Sequence, residues 1–344
     1  MKRALLHYLT CPRDGESLEL DVLDESSAEI KTGRLSCASG HVYPIERYIP
    51  RFVETAGYAQ TFSAQREYVR RHFRSYQKDR SGDELFYATT GWSREALLRG
   101  PCLEIGCGYG RFVDVVEREG AEIIGVDLST QSIELAHSFV GMRPRVHLIQ
   151  ADLFQLPLKR EMFGSVYSIG ALHHTPDCKA AFESLPPYLA DGGQIAIWVY
   201  HPSNQNNVVA WRRRTTKWSS TRLYAWCIFN QTAFGWIRRL PWLRWRFNAF
   251  VPGAVPRRSQ SFWLRVMEDF DNLSPKYASS HSEDEVLGWF KQAGLANIQR
   301  LARRTSVAGC RSTEPTFDGA HRECARSASP AGSGPPSDTA DLVL

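Results

Sequence analysis

Three glycines and a preceding glutamate form the segment with the clearest chemical content. In Leu103-Glu104-Ile105-Gly106-Cys107-Gly108-Tyr109-Gly110, a short apolar run leads into a glycine-rich turn. Glycines there let the backbone approach a ligand closely and adopt positive φ. A nicotinamide-binding turn has the spacing Gly-x-Gly-x-x-Gly, whereas here the third glycine comes one residue earlier. Because the Glu104 carboxylate would repel a pyrophosphate and attract an ammonium group, the turn indicates a ligand that is cationic at this end.

Two further carboxylates follow predicted strands downstream of this turn. Asp127 comes at the end of one strand, where its carboxylate can accept both hydroxyl hydrogens of a ribose, and Leu128 follows it. Asp152 and Leu153 follow the next strand, where an acid and a backbone N–H can contact an adenine amino group and a ring nitrogen. Each acid alone would be an ordinary turn residue. Because open α/β sheets bind ligands at the carboxyl ends of their strands, the ordered set predicts a nucleoside site.

The elements that would position these residues alternate between strands and helices from Pro101 onward. Apolar runs separated by helical patterns of about 10–15 residues indicate βαβ units. The fold class predicted is therefore α/β, with a doubly wound, mostly parallel Rossmann-like sheet. The predicted strands are Cys102–Ile105, Ile123–Asp127, Val146–Ala151, Ser165–Ile169, Gln194–Tyr200 and Leu295–Arg300. The predicted helices are Arg111–Glu119, Thr130–Val140, Lys179–Leu189 and one that opens at Ser282 and runs to Gln292.

These motifs resemble those of the class I S-adenosylmethionine-dependent methyltransferases. Glu104–Gly110 resembles their first motif and Phe163–His174 their fourth, and the resemblance covers about residues 100–200 and resumes at 282–300. It implies S-adenosyl-L-methionine as cofactor and a late antiparallel strand at the sheet edge, although the chain becomes rich in Ser, Gly and Pro where that strand would end. The cofactor-binding residues that it implies are Glu104, Gly106, Cys107, Gly108, Gly110, Asp127, Leu128, Asp152, Leu153, Ile169 and Gly170.

His173 and His174 follow the fourth predicted strand and are the catalytic candidates. A methyl group on a sulfonium is already activated, so alignment and desolvation supply much of the rate. A general base is needed only when the acceptor is a hydroxyl or a protonated amine, and histidine suits that role. The alternative interpretation is that the pair shapes the loop.

Cys11, Asp14, Cys37 and His41 form a candidate metal site near the N-terminus. Two cysteines, a histidine and a carboxylate can hold a tetrahedral zinc. The segment resembles the zinc-ribbon-like activator of tRNA methyltransferases, with Asp14 at a position where a second cysteine is expected. Two interpretations stay open, a zinc site and a degenerate ribbon that folds without metal.

Residues 201–267 form a basic, tryptophan-rich island. They contain eleven Arg, one Lys and seven of the ten Trp, and no Asp or Glu. Pro241 predicts a turn followed by a new helix. An apolar stripe at helical spacing comprises Trp236, Leu240, Leu243, Phe247 and Phe250, and off it lie Arg238, Arg239, Arg244 and Arg246. The island is interpreted as a helical lid with solvated arginines, as a surface for an anionic membrane or lipid-like acceptor, or as a single-stranded nucleic-acid site.

Together the patterns predict a methyltransferase that acts on a small or lipid-like metabolite. The alternatives are an RNA methyltransferase and a non-catalytic binding module of the same fold. The sequence has no apolar run of about 18 residues and no signal-peptide pattern, so we expect a cytoplasmic protein, with peripheral membrane contact as an option. The expected divisions are a ribbon at 1–53, connecting helices at 54–100, the cofactor-binding core at 101–200, a cap at 201–277, the end of the core at 278–305 and a disordered tail at 306–344.

Overall fold

The computed structural model describes residues 1–26, 29–53, 81–202, 206–240, 242–243, 247, 250–253 and 262–312. Several sequence-based expectations lie outside these ranges. They are the connecting helices over 54–80, the side chains of Arg244 and Arg246, and the tail over 313–344.

A doubly wound, mostly parallel sheet forms the centre of the chain, as the sequence predicted. Its strands are β5 (Cys102–Ile105), β6 (Ile123–Asp127), β7 (Val146–Gln150), β8 (Phe163–Ile169), β9 (Leu189–Trp198), β10 (Ala296–Arg300) and β11 (Ser306–Cys310). They are arranged in the order β10-β11-β9-β8-β5-β6-β7. The five neighbouring strands β9, β8, β5, β6 and β7 pair in parallel. Strand β11 is antiparallel to both of its neighbours. The continuous apolar runs of the inner strands fit this sheet because both of its faces are covered.

Helices flank the sheet. They are α1 (Ser81–Thr90), α2 (Arg94–Leu97), α3 (Arg111–Arg118), α4 (Thr130–Ala136), α5 (Cys178–Glu183) and a late helix (Glu283–Gln292). The predicted helix Lys179–Leu189 is too long, since α5 ends at Glu183 and Pro186 opens a separate turn. Proline disrupts the interior of an α-helix, which fits the end of α5 before Pro186. Strand β9 begins at Leu189 rather than at the predicted Gln194.

The expected tail at 306–344 begins too early, because Ser306–Cys310 form the buried strand β11. Small residues there suggested a loop, but the packing requires them. A Cβ on Gly309 would lie 3.1 Å from the Phe290 ring of the late helix, tighter than ordinary contact. Strand β11 is thus the late antiparallel strand that the resemblance implied, and it closes the sheet between β9 and β10.

The N-terminal sheet is antiparallel and lies against one edge of the central sheet. It comprises β1 (Glu19–Ser26), β2 (Glu29–Ser36), β3 (Val42–Glu46) and β4 (Ile49–Pro50), in that order. Ile30, Leu35 and Ile45 are fully buried and belong to the same apolar cluster as the central strands. The N–H of Phe52 donates to the carbonyl of Gln150 at 2.8 Å, which joins the end of β4 to the edge strand β7.

The described residues of the cap (residues 201–277, between β9 and the late helix) include three α-helices. They are α6 (Asn206–Thr215), α7 (Ser220–Phe234) and α8 (Phe262–Leu273), and we number the late helix α9. Their shared core consists of Leu223, Cys227, Val266, Phe270 and Leu273. Within the described ranges, no helix combines the length and the apolar character needed to cross a membrane.

Arg238 corrects the expectation that the basic residues of the cap are solvated. Its side chain is 1% exposed and donates to the carbonyl and Oδ1 of Asn230 and to the carbonyl of Val251, at 3.2, 2.8 and 3.2 Å. Arg212 and Arg265 are also buried. These arginines hold cap segments together, and a sequence pattern cannot distinguish them from neighbours such as Arg239, which is exposed.

We expect Arg238→Ala to lower the free energy of unfolding by roughly 1.5–3 kcal/mol, because charge-assisted hydrogen bonds to buried acceptors are lost. Arg239→Ala is the matched control and should change it by less than about 0.5 kcal/mol. Urea denaturation monitored by tryptophan fluorescence measures both. Equal losses in the two variants would contradict the structural role of Arg238.

Candidate functional site

A cleft opens at the carboxyl ends of β5, β6, β7 and β8. The space between its walls is about 670 Å³, open solvent included. Six residues that the sequence analysis selected line it, namely Gly106, Asp127, Leu128, Leu153, Gly170 and His174. The structure therefore brings together residues from four separate motifs.

The glycine-rich turn between β5 and α3 lies at one wall of the cleft. Gly106 has φ +74° and Gly110 has φ +84°, both in the left-handed region that favours glycine. A Cβ on Gly106 would overlap the side chain of Ala171 across the cleft. The N–H groups of Gly106 and Cys107 both donate to the carbonyl of Val126, at 2.8 and 3.0 Å, so the turn is fixed against the end of β6.

Asp127 has both carboxylate oxygens fixed by backbone amides. Its Oδ2 accepts from the N–H of Gly108 at 2.8 Å and its Oδ1 from the N–H of Ser129 at 2.8 Å. The carboxylate is thereby oriented at the cleft wall, where it can accept hydrogen bonds from a ligand.

The loop after β7 forms the next part of the wall. Asp152 caps a short turn by accepting from the N–H of Phe154 at 3.0 Å, and Leu153 faces the cleft. The N–H of Ala151 donates to the carbonyl of Asp127 at 3.3 Å. The ribose and adenine positions expected from the sequence are therefore adjacent.

Glu104 lies behind this wall rather than on it. Its side chain is 1% exposed and accepts from the Tyr167 hydroxyl at 3.1 Å. Burial raises the pKa of the Glu104 carboxyl to about 8, and the nearby Asp127 charge adds to that shift. Its expected contact with an ammonium group stays a prediction. Cys107 and Ile169 are also buried, and Gly170 provides the backbone that faces the cleft.

The two histidines occupy different environments. His173 is fully buried and its ring stacks on Tyr200 with 3.7 Å between ring centroids. Burial lowers the pKa of His173 well below its ordinary value, and neither ring nitrogen has a hydrogen-bond partner among the described residues. His173 is thus a neutral packing residue in this arrangement.

His174, unlike His173, lines the cleft. Its Nδ1 lies 3.1 Å from the carbonyl of Tyr277. Because a carbonyl only accepts, Nδ1 carries the proton, and the lone pair of the neutral ring is then on Nε2. Tyr277 belongs to the segment that follows α8, so the cap helps to set the tautomer of His174.

Sequence reasoning missed Ser129 and Thr175, which also line the cleft. Ser129 caps α4, since its Oγ accepts from the N–H of Ser132 at 3.2 Å. The available signal was that Ser129 directly precedes the predicted helix Thr130–Val140, where serine is a preferred N-cap residue. For Thr175, whose hydroxyl donates to the carbonyl of Leu172 at 2.7 Å, the sequence carried no comparable signal.

The four predicted metal ligands converge on one point at the end of the N-terminal sheet. His41 Nδ1 lies 2.9 Å from Asp14 Oδ2, 3.4 Å from Cys37 Sγ and 3.6 Å from Cys11 Sγ. Bond lengths of about 2.3 Å to sulfur and 2.0–2.1 Å to nitrogen or oxygen would separate the ligand atoms of a tetrahedral zinc by roughly 3.3–3.8 Å. The four ligand atoms all lie within 4.8 Å of one another, although His41 Nδ1 and Asp14 Oδ2 are closer together than a tetrahedral zinc requires. The donor set is therefore a candidate zinc site.

Two glycine turns shape this cluster. Gly15 and Gly40 have φ +79° and +86°, and their N–H groups donate to the carbonyls of Cys11 and Cys37, each at 2.9 Å. Hydrogen bonding from Cys11 and from the N–H of Glu16 lowers the pKa of the Asp14 carboxyl. Asp14 thus offers a carboxylate oxygen where the related ribbon would offer a thiolate.

Residues 103–197 match the sequence profile of a family described as a methyltransferase domain, and they contain the core of the doubly wound sheet. This segment is a class I methyltransferase domain. The remaining elements surround it, with the N-terminal sheet on the β7 side and the cap after β9.

Among the curated proteins that are similar to this chain are three methyltransferases. The methyltransferase GfsG of Streptomyces halstedii is 30% identical over 99 residues, which are 28% of this chain and 36% of that protein. The sterol 4-C-methyltransferase strm-1 of Caenorhabditis elegans is 25% identical over 100 residues, 28% and 30% of the respective chains. The tRNA U34 carboxymethyltransferase of Hydrogenovibrio crunogenus is 28% identical over 182 residues, 50% and 53% of the chains. The chain thus matches about a third to a half of each relative's length.

Proposed function

We propose that the chain is an S-adenosyl-L-methionine-dependent methyltransferase acting on a small or lipid-like metabolite. The observation that carries the proposal is the Asp127 carboxylate, fixed by the amides of Gly108 and Ser129 at the wall of the cleft. This arrangement suits the two hydroxyls of a ribose. It also argues against a non-catalytic module, which has no need of an oriented ribose-binding acid.

The other cofactor contacts follow from the lining of the cleft. The glycine turn at 106–110 leaves room for a ligand to approach the backbone, and Asp152 with the N–H of Leu153 would recognise the adenine edge. Arrival of the cofactor's cationic end would favour ionisation of the buried Glu104 carboxyl, whose pKa is raised to about 8 without it. When bound, S-adenosyl-L-methionine supplies a methyl group on a sulfonium that is already activated for transfer.

His174 would take the proton of a hydroxyl or amine acceptor on Nε2, because Tyr277 holds the proton on Nδ1. His173 packs beneath it and keeps the ring environment apolar. No metal ligand or second acid is required of the cleft for this reaction, since alignment and exclusion of water supply much of the rate.

Asp127→Asn should weaken binding of S-adenosylhomocysteine, the demethylated product, by roughly 1–3 kcal/mol, because an amide cannot accept two ribose hydroxyls in the same way. Isothermal titration calorimetry measures the change. Asp177→Asn is the control, since Asp177 caps α5 and does not line the cleft. Unchanged affinity in Asp127→Asn, or preferential binding of a nicotinamide dinucleotide by the wild type, would contradict the cofactor assignment.

His174→Gln should reduce methyl transfer by a factor of about 10²–10⁴ while binding of S-adenosylhomocysteine stays within about twofold. The acceptor is found by incubating cell extract with methyl-labelled cofactor and identifying the labelled product by mass spectrometry. The same product then gives the rates of wild type and variant. Wild-type rates in His174→Gln would show that the acceptor needs no base from this position.

The surface of the cap supports an amphipathic acceptor or an anionic membrane as its partner. Trp236, Trp242 and Phe250 are 61%, 72% and 77% exposed, and the neighbouring Arg239 is exposed as well. Exposed tryptophans favour the interfacial zone of a membrane, and basic side chains favour its anionic headgroups. The similarity to a tRNA U34 carboxymethyltransferase supports RNA as the second candidate acceptor. Arginines of the cap would then contact its phosphates.

Replacing Trp236, Trp242 and Arg239 together by Ser should reduce co-sedimentation with phosphatidylserine-containing vesicles and leave cofactor affinity unchanged. Binding of the wild type should rise with the fraction of anionic lipid and fall with salt. Met142→Ser, at an exposed position of the core, is the control. Binding of single-stranded RNA with a steep salt dependence, in place of vesicle binding, would favour the RNA candidate, and binding of neither would leave the cap as a lid.

We also propose that Cys11, Asp14, Cys37 and His41 bind one zinc ion, on the strength of their converging ligand atoms. Zinc would fasten the two glycine turns to each other. Because zinc accepts both thiolate and carboxylate ligands, Asp14 could serve as a ligand where the related ribbon has a cysteine.

Purified protein should contain about one equivalent of zinc by elemental analysis, and Cys11→Ser should lose it together with part of the thermal stability. Asp14→Cys should retain zinc, because it restores a thiolate to the set. Asp21→Ala, on the exposed side of β1, should behave like wild type. Metal-free wild-type protein with the same stability as Cys11→Ser would establish the degenerate ribbon instead.

A further inference from the structure

Arg51 links the N-terminal sheet to the wall of the cleft. It follows β4 and forms a parallel bridge with Gln150 at the end of β7. The Arg51 side chain is buried, with Nη1 donating to Gln150 Oε1 at 2.6 Å and Nη2 to Glu134 Oε1 at 2.8 Å. A buried guanidinium thus lies between the two sheets, with both terminal nitrogens hydrogen-bonded and Nε 3.2 Å from the carboxylate oxygen Oε2 of Glu46.

The amide of Gln150 passes this contact on to the loop that carries Asp127. Gln150 is 2% exposed, and its Nε2 donates to the carbonyl of Leu128 at 3.0 Å and to Thr130 Oγ1 at 2.9 Å. Leu128 and Thr130 flank Ser129, whose N–H fixes Asp127 Oδ1. Gln150 therefore holds the loop on both sides of the amide that orients the ribose-binding carboxylate.

The charge of Arg51 decides which way this amide points. A glutamine side chain has an acceptor oxygen at one end and donor hydrogens at the other. If it turned over, the amide hydrogens would face the guanidinium, and Oε1 would face the carbonyl of Leu128. Both contacts would be repulsive in a buried site, so the cation on the N-terminal sheet maintains the donor end toward the loop.

We propose that Arg51 is a positioning residue through which the N-terminal sheet sets the affinity of the cleft for its cofactor. The proposal rests on the proposed function, since it takes the ligand of the 127–130 loop to be S-adenosyl-L-methionine. A loop that is already ordered before the ligand arrives binds more tightly, because ordering no longer opposes binding. The N-terminal sheet accordingly acts on the cofactor site without contributing a residue to its lining.

Three variants test this role. Arg51→Met removes the guanidinium and keeps an aliphatic stem, and Gln150→Glu keeps the contact with Arg51 but places an acceptor against the carbonyl of Leu128. Arg47→Met is the matched control, because Arg47 binds the same Glu134 at 3.1 Å but is largely exposed and does not contact Gln150. Calorimetry should show the Kd of S-adenosylhomocysteine about tenfold higher in the first two variants and within twofold of wild type in the control.

A double-mutant cycle separates positioning from general support. Arg51→Met combined with Gln150→Ala should weaken binding no further than either change alone, because both act through one contact. Additive losses, or a lower melting temperature in Arg51→Met with unchanged Kd, would overturn the proposal. Arg51→Lys keeps a cation that can donate to Gln150 Oε1 and should recover most of the affinity lost in Arg51→Met.

Hydrogen exchange of the ligand-free protein keeps the result independent of the cofactor assignment. The amides of 127–131 should exchange faster in Arg51→Met and Gln150→Glu than in wild type or Arg47→Met. Faster exchange with no binding of S-adenosylhomocysteine by any form would uphold the contact and contradict the proposed function. Unchanged exchange in both variants would refute the positioning role.

Discussion

The site depends on the orientation of one carboxylate at the end of β6. Asp127 is held by the amides of Gly108 and Ser129, and each amide belongs to a different loop. The glycine turn must adopt left-handed backbone to present the N–H of Gly108. Ser129 must be the N-cap of α4 to present its own N–H. Because the carboxylate joins both loops, a change in either one alters where a ligand's hydroxyls can bind.

The parts added to the methyltransferase domain act on the cleft from opposite sides. The cap contacts His174 through the carbonyl of Tyr277. Buried arginines fasten the neighbouring part of the cap, since Arg212 donates to the carbonyl of Asn272 at 2.9 Å. The N-terminal sheet reaches the opposite wall through Arg51 and Gln150. Under the proposed function, the cap would orient the candidate base His174, and the N-terminal sheet would orient the loop proposed to bind the cofactor.

The sequence predicted what depends on local chemistry and missed what depends on packing. Glycine spacing and acids at strand ends identified the sheet and its cleft, since backbone conformation and charge can be read from residue types. Strand β11 was taken for a tail because its small residues suit a loop as well as a strand beneath Phe290. Arg238 and Arg239 are identical in sequence terms, and only the fold buries the first. The clamp of Gln150 by Arg51 joins residues 99 positions apart, so no local pattern could indicate it.

A crystal structure of the protein with S-adenosylhomocysteine tests the central claim most directly. Our account predicts that both ribose hydroxyls donate to Asp127, that the adenine edge contacts Asp152 and the N–H of Leu153, and that the sulfur faces His174. A ligand bound outside this cleft, or one whose ribose makes no contact with Asp127, would contradict it.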